Sequence, residues 1–340
     1  MKCRYSLPTA HGQKRPGAQA GLSLVELMVA ITVGLVVISS LVGILASASG
    51  SSRSNDRTSE MATNGRYALS SLKDELRHAG YLGYTLAQPG SPAPWTDPQS
   101  GCSDAGSTVG GFVTNIGQGI WGADNSNPFS GASNCIPSAN YEAGNDVLVI
   151  RHLGNAPAST LDKNTVYFQS AYAQGQMFKT TSTPVAPISV GAGLPVDTFR
   201  VNTFVYFISP FTTTAAESPL VPALWRLAMQ ADGTMERELV ASGIERMQVQ
   251  YGIMPNATDV QFYDSIPGTA SDTKPANATV NWGNVTSVRI WLLARNSTAE
   301  SGYVNTQTFA MGNQPYNVKD GFRRQLFSTV VQLRNGVPKL

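Results

Sequence analysis

Glu26 is the one charge between Leu22 and Ser52, a run otherwise built from apolar and small uncharged residues. A carboxylate carried to the centre of a membrane costs on the order of 2 to 3 kcal/mol, so this residue needs a partner or a function. Its spacing suggests one. A hydrophilic leader containing Lys2, Arg4, Lys14 and Arg15 ends at Gly21, and the apolar segment begins at once with Leu22-Ser23-Leu24-Val25-Glu26. A cut after Gly21 would place a new α-amino cation on Leu22, four residues before Glu26 and on the same helical face. In an assembled bundle the Glu26 carboxylate could instead meet the amine of a neighbouring subunit, neutralising both charges in a dry setting and fixing axial register.

The other residues with chemical potential are few. Of the three cysteines, Cys3 lies in the leader, which leaves Cys102 and Cys135 as an even pair. They read as one disulfide in an oxidising compartment such as the periplasm, with two buried free thiols as the alternative. His11 lies in the leader, and His78 and His152 sit in no metal or nucleophile motif. With no Cys/His cluster, phosphate loop or zinc-protease signature, the sequence predicts no catalytic site, no cofactor and no metal. Arg323-Arg324 could touch a phosphate but reads better as a solvated strand edge. Ala231-Asp232-Gly233 lacks the ligand series of a calcium loop and reads as a tight hairpin.

The elements that must position these groups start with a membrane-length run. At 1.5 Å per residue, the uncharged stretch from Leu27 to Ser52 would make a helix of about 39 Å, longer than the hydrocarbon core of a bilayer. Basic residues precede Leu22 and no acidic residue does, so the amino terminus is expected in the cytoplasm and everything after Ser52 outside it. Beyond it Met61, Ala68, Leu69, Leu72, Leu76 and Ala79 recur at helical steps, predicting an amphipathic continuation that ends at Gly80. The expected organisation is a leader over 1–21, a transmembrane helix over 22–52, an amphipathic helix over 53–80 and an exported β-rich domain over 81–340.

Within that domain, 85–141 is dense in Gly, Pro, Ser and Asn and reads as a long excursion stapled by the disulfide. Strand signals then dominate: Asp146 to Leu153, Thr165 to Ala171, Val201 to Ser209, Leu224 to Met229, Ile244 to Ile253, Val285 to Arg295 and Gln325 to Leu333. The prediction is α+β: a long amino-terminal helix packed on a mainly antiparallel sheet. The 340-residue chain is 42% hydrophobic, enough for a core, and carries a net charge of +2. Removing the four basic residues up to Gly21 leaves 20 basic against 22 acidic ones, a net charge of −2. No global basic field then remains to draw the chain to nucleic acid.

The decamer Gly21-Leu22-Ser23-Leu24-Val25-Glu26-Leu27-Met28-Val29-Ala30 resembles the class III prepilin signal, although the family usually has Phe where this chain has Leu22. Further on, Asn64 to Gly83, Asn145 to Arg151, Leu239 to Gly252, Val285 to Arg295 and Arg323 to Asn335 resemble successive segments of the PilW family, in the same order. Where many of those proteins carry Cys after Gly83, this chain has Tyr84, so the family's disulfide arrangement does not transfer. The resemblance implies a pilin-like lollipop fold and the role of a type IV pilus minor pilin. It further implies cleavage by prepilin peptidase between Gly21 and Leu22, methylation of the new amino terminus, and an assembly role for Glu26. Implied partners are the inner-membrane assembly platform, the major pilin, other minor pilins and a tip adhesin of the PilY type. The implied life history is single-pass insertion in the inner membrane, then a place in the pilus tip, where the chain helps prime assembly and supports twitching motility and adhesion. Two alternatives stand beside it: a type II secretion pseudopilin, and a minor pilin whose loop 85–141 grips DNA or a surface.

Overall fold

The computed structural model describes residues 21, 23–84, 116–130, 135–172, 175–180, 193–254, 259–264 and 282–335. Helix α1 runs from Leu24 to His78, and the chain divides into two compact units after Ser54, so that α1 contributes to both.

In the first unit the helix is apolar and its side chains are exposed; its best 18-residue window has a mean hydropathy of 2.6, long and apolar enough to cross a membrane. The hydroxyls within it bond back to the helix: Thr32 Oγ1 donates to Val29 O at 2.9 Å, Ser39 Oγ to Leu35 O at 2.7 Å and Ser40 Oγ to Val36 O at 2.9 Å. Hydrogen-bonding groups satisfied within the segment are what a lipid setting requires.

In the second unit α1 buries Met61, Gly65, Ala68, Leu72 and Leu76, a single stripe at three- and four-residue steps. The helix stops where glycine allows it: Gly80 has φ 72° and its N–H donates to Arg151 O at 2.9 Å. The Asn335 side-chain amide donates to His78 O and Ala79 O at 3.4 and 3.3 Å, satisfying carbonyls that the last helical turn leaves open.

All strand pairs among the described residues are antiparallel. The first sheet holds β1 (Ile120–Ala123), β2 (Val147–Leu153), β3 (Val166–Ala171), β4 (Gly175–Lys179), β5 (Val196–Ser209), β6 (Ala223–Met229) and β7 (Met235–Ser242). Its central strand β5 pairs with β3 along Val196–Arg200, with β2 along Val201–Tyr206 and with β6 along Phe204–Ser209. The second sheet has the order β13 (Arg324–Gln332), β10 (Val285–Arg295), β8 (Ile244–Ile253), β9 (Gln261–Tyr263). A small ribbon pairs β11 (Thr308–Phe309) with β12 (Tyr316–Asn317). One core joins the helix to both sheets: Leu72 and Leu76 share a cluster with Leu148, Ile150 and Tyr206 of the first and Met247, Val249, Ile290 and Val331 of the second.

The α+β expectation holds, with two differences. The sequence predicts one sheet, whereas the described residues form two large sheets besides the β11–β12 ribbon; Gly243 makes the change between the two large ones. It has φ 73°, donates to Pro222 O at 2.7 Å and accepts from Arg295 N–H at 2.8 Å, and a side chain there would press on Arg295 O. The hairpin at Ala231-Asp232-Gly233 is present, with Asp232 Oδ1 accepting the Thr234 N–H at 3.0 Å, but its second arm is β7 rather than the run beginning at Ile244. Strand β1 falls inside the excursion 85–141.

Candidate functional site: the start of the apolar helix

Gly21 is exposed and a side chain at this position would meet nothing within 4 Å; Leu22 lies outside the described residues. The helix then opens with a reciprocal cap. Ser23 Oγ accepts the Val25 N–H at 3.3 Å, while Glu26 Oε2 accepts the Ser23 N–H at 3.0 Å, and the first helical hydrogen bond runs from Leu27 N–H to Ser23 O at 3.1 Å. This is a capping box: the side chains at both ends of Ser23-Leu24-Val25-Glu26 satisfy backbone donors that the first turn leaves open. The carboxylate also lies at the positive end of the helix dipole, where a negative charge is favoured. Glu26 therefore has a structural task before any assembly, one that reading it for its charge alone overlooked. The pattern S-x-x-E ahead of an apolar run is the signal that reveals it.

Cys135 is disulfide-bonded and packs against the cluster of Phe129, Ile136 and Phe207, while its expected partner Cys102 lies outside the described residues. The two remaining histidines meet where α1 faces the first sheet. His152, 4% exposed on β2, places Nε2 at 2.9 Å from Glu75 Oε2 and Nδ1 at 2.7 Å from Leu153 O; its ring centroid is 5.6 Å from that of His78. Both histidines thus belong to the joint between helix and sheet. Among the described residues no group of three or more His, Cys, Asp or Glu side chains could hold a metal ion.

Of the Arg323-Arg324 pair, expected as a solvated edge, Arg323 keeps a side chain 42% exposed, whereas Arg324 is buried. The Arg324 side chain is 1% exposed, with Nε 2.6 Å from Glu245 Oε2 and Nη1 2.6 Å from Asp320 Oδ1, while Arg323 Nε meets Glu300 Oε2 at 2.8 Å. The Arg324 hydrogen bonds outweigh the opposing effect of burial and hold the Asp320 carboxyl below its ordinary value. This guanidinium fastens β13 to β8 across the intervening β10 and is closed to an external phosphate.

Comparison with known proteins adds a separate line. Residues 205–335, from the second half of β5 to the residues just past β13, match the model of the family described as Type IV Pilus-assembly protein W. That match includes neither Gly21 nor Glu26. A solved type IV-like pilin from Thermus thermophilus is similar at 14% identity, with 81% of this chain and 96% of that chain covered and a TM-score of 0.35. No curated protein matches the chain. The family match thus covers the carboxy-terminal strands and leaves the capped apolar helix outside it.

Proposed function

We propose that this chain is a minor pilin of the type IV pilus, a structural subunit cut by prepilin peptidase between Gly21 and Leu22 and methylated on the new Leu22 amine. Before assembly α1 anchors it in the inner membrane as a single pass, with the leader in the cytoplasm and the β-rich unit in the periplasm, where Cys102 and Cys135 form their disulfide. On assembly the same helix leaves lipid and joins the filament core beside the major pilin and other minor pilins. There the chain helps prime polymerisation and forms part of the tip complex, with a PilY-type adhesin, in support of twitching and adhesion.

The chemistry of that transfer follows from the helix start. Cleavage creates a cation next to the capping box, and the Glu26 carboxylate is preorganised at the helix amino terminus to receive a cation. A charge pair held in a dry filament core is costly unless both members meet. Only the axial offset that brings amine and carboxylate together is then tolerated, which converts one ion pair into a register.

The observation that supports this reading most is the coexistence, on one chain, of two separate features. An apolar helix capped by Ser23 and Glu26 begins at Leu24, shortly after Gly21, and residues 205–335 match a pilus-assembly family. Purification of the full chain through a carboxy-terminal tag from detergent-solubilised membranes tests it. The major pilin and other minor pilins should accompany the chain, whereas recovery with only secretion-system pseudopilins would overturn the reading.

A further inference from the structure

A cavity of about 330 Å³ opens on the face of the first sheet that is turned away from α1. Strand register builds its floor. Phe207 of β5 pairs with Trp225 of β6, and Trp225 with Leu239 of β7, so the three side chains stand in one row across the sheet. Phe207 is 1% exposed and lies deepest, Trp225 is half-buried, and Leu239 at the end of the row is exposed. The Trp225 indole is held by a hydrogen bond of its own, with Nε1 donating to Phe211 O at 3.1 Å. Its polar edge is thereby satisfied, which leaves the apolar ring to line the cavity.

Part of the wall is a loop fixed in place before any ligand arrives. Within 210–222 the Glu217 carboxylate accepts the N–H groups of Thr212, Thr213 and Val221 at 2.9, 2.9 and 3.0 Å, and the hydroxyls of Thr212 and Thr213 at 2.8 and 2.9 Å. Phe211 and Thr213, which line the cavity, are carried by the loop so tied. The rest of the rim is polar. The one-turn helix Ser138–Asn140 ends in Asn140, and β7 supplies Glu236 and Arg237. Register sets Arg237 opposite Leu227, two residues along β6 from Trp225 and on the same face. Among the described residues the side chains of Asn140, Glu236 and Arg237 make no hydrogen bond and no ion pair.

This lining selects a class of ligand. A wholly apolar ligand would bury an amide, a carboxylate and a guanidinium without partners, which is costly. An anion would meet Glu236, and a cation would meet Arg237. A neutral sugar ring avoids both conflicts. Its C–H face can lie on an indole, and its hydroxyls both donate and accept, as donor-only Arg237, acceptor-only Glu236 and the mixed amide of Asn140 require.

We propose that this cavity is a saccharide site, which takes one ring of a neutral glycan against Trp225 and hydrogen-bonds its hydroxyls through Asn140, Glu236 and Arg237. Trp225 supplies the stacking surface, and the three polar side chains select the pattern of hydroxyls. The site belongs to the folded β-rich unit and needs neither cleavage after Gly21 nor assembly, so it stands or falls separately from the pilin reading.

The test uses the full chain in micelles of a detergent without a sugar headgroup. Saturation-transfer nuclear magnetic resonance is recorded with cellotetraose, chitotetraose and mannotetraose, each at millimolar concentration. Ring C–H protons of at least one probe should receive saturation from the protein. Arg237→Ala and Asn140→Ala should each weaken that binding about three- to tenfold, the cost of one lost hydrogen bond. Both variants should keep the wild-type circular dichroism, since neither side chain is bonded within the fold. Affinity should not change with ionic strength, because the ligand is neutral. No transfer to any of the three probes, or transfer that both variants leave unchanged, would overturn the proposal. So would displacement of the sugar by a proline-rich peptide at lower concentration, which would assign the aromatic floor to a protein partner.

Discussion

The ring of Phe327 on β13 fills the space where a side chain at Gly65 of α1 would begin: a Cβ built there would lie 2.2 Å from Cε2 of the ring. Helix and second sheet approach this closely because position 65 has no side chain. Gly65→Ala should therefore lower stability by about 1 to 3 kcal/mol through overpacking, despite the better helix propensity of alanine. In a Phe327→Ala background the sign should reverse, with Gly65→Ala stabilising by about 0.5 to 1 kcal/mol. Denaturant midpoints of the four proteins measure both effects, and the same destabilisation in both backgrounds would remove the steric explanation.

The Arg324 guanidinium, shared between Glu245 and Asp320, makes a second prediction. Arg324→Met would remove the hydrogen-bonded cation of both carboxylates at a position only 1% exposed, leaving Glu245 with the more distant Arg295 guanidinium at 3.8 Å, and such a loss is expected to cost at most about 3 to 5 kcal/mol. The pH dependence has a definite sign. Asp320 is held below its ordinary value chiefly by Arg324, so its contribution is fully present above the usual carboxylate range and is lost as pH falls through the depressed value. Acid should thus lower the wild-type melting midpoint more than that of Arg324→Met, and parallel acid profiles would show that the pair contributes nothing.

Much of the fold can be read from the sequence, for physical reasons that differ between elements. The runs that became β8 and β10 are rich in β-branched and apolar residues, and their predicted limits coincide with those observed, Ile244–Ile253 and Val285–Arg295. Strand β7 could not be found this way: Glu236, Arg237 and Glu238 make it an exposed, charged edge with little apolar alternation. Two sheets were read as one because the transfer between them occupies a single left-handed residue, Gly243, inside what looks like a continuous strand region. Arg324 could not be placed from local sequence, since Glu245 is supplied by another strand. The helix cap, by contrast, was written in the sequence as S-x-x-E.

That cap allows two roles of Glu26 to be separated. Ser23→Ala removes one of the cap's hydrogen bonds and should cost roughly 1 kcal/mol of helix-start stability while leaving the charge intact. Glu26→Gln keeps a side-chain acceptor for the Ser23 N–H but removes the charge. If charge pairing sets register, the Ser23 variant should enter sheared pili at near wild-type levels, whereas the Glu26→Gln variant should remain in the membrane. Equal incorporation of both would mean that register does not depend on the carboxylate charge.

The proposed function requires that this chain be processed after Gly21 and built into a pilus. Intact-mass measurement of the chain recovered from sheared pili, compared with the chain left in membranes, tests it most directly. The expected result is a pilus-borne species that begins at Leu22 and carries one added methyl group, and a full-length membrane species in cells expressing Gly21→Ala. A chain that keeps residues 1–21 in wild-type cells and is missing from the pilus fraction would contradict it.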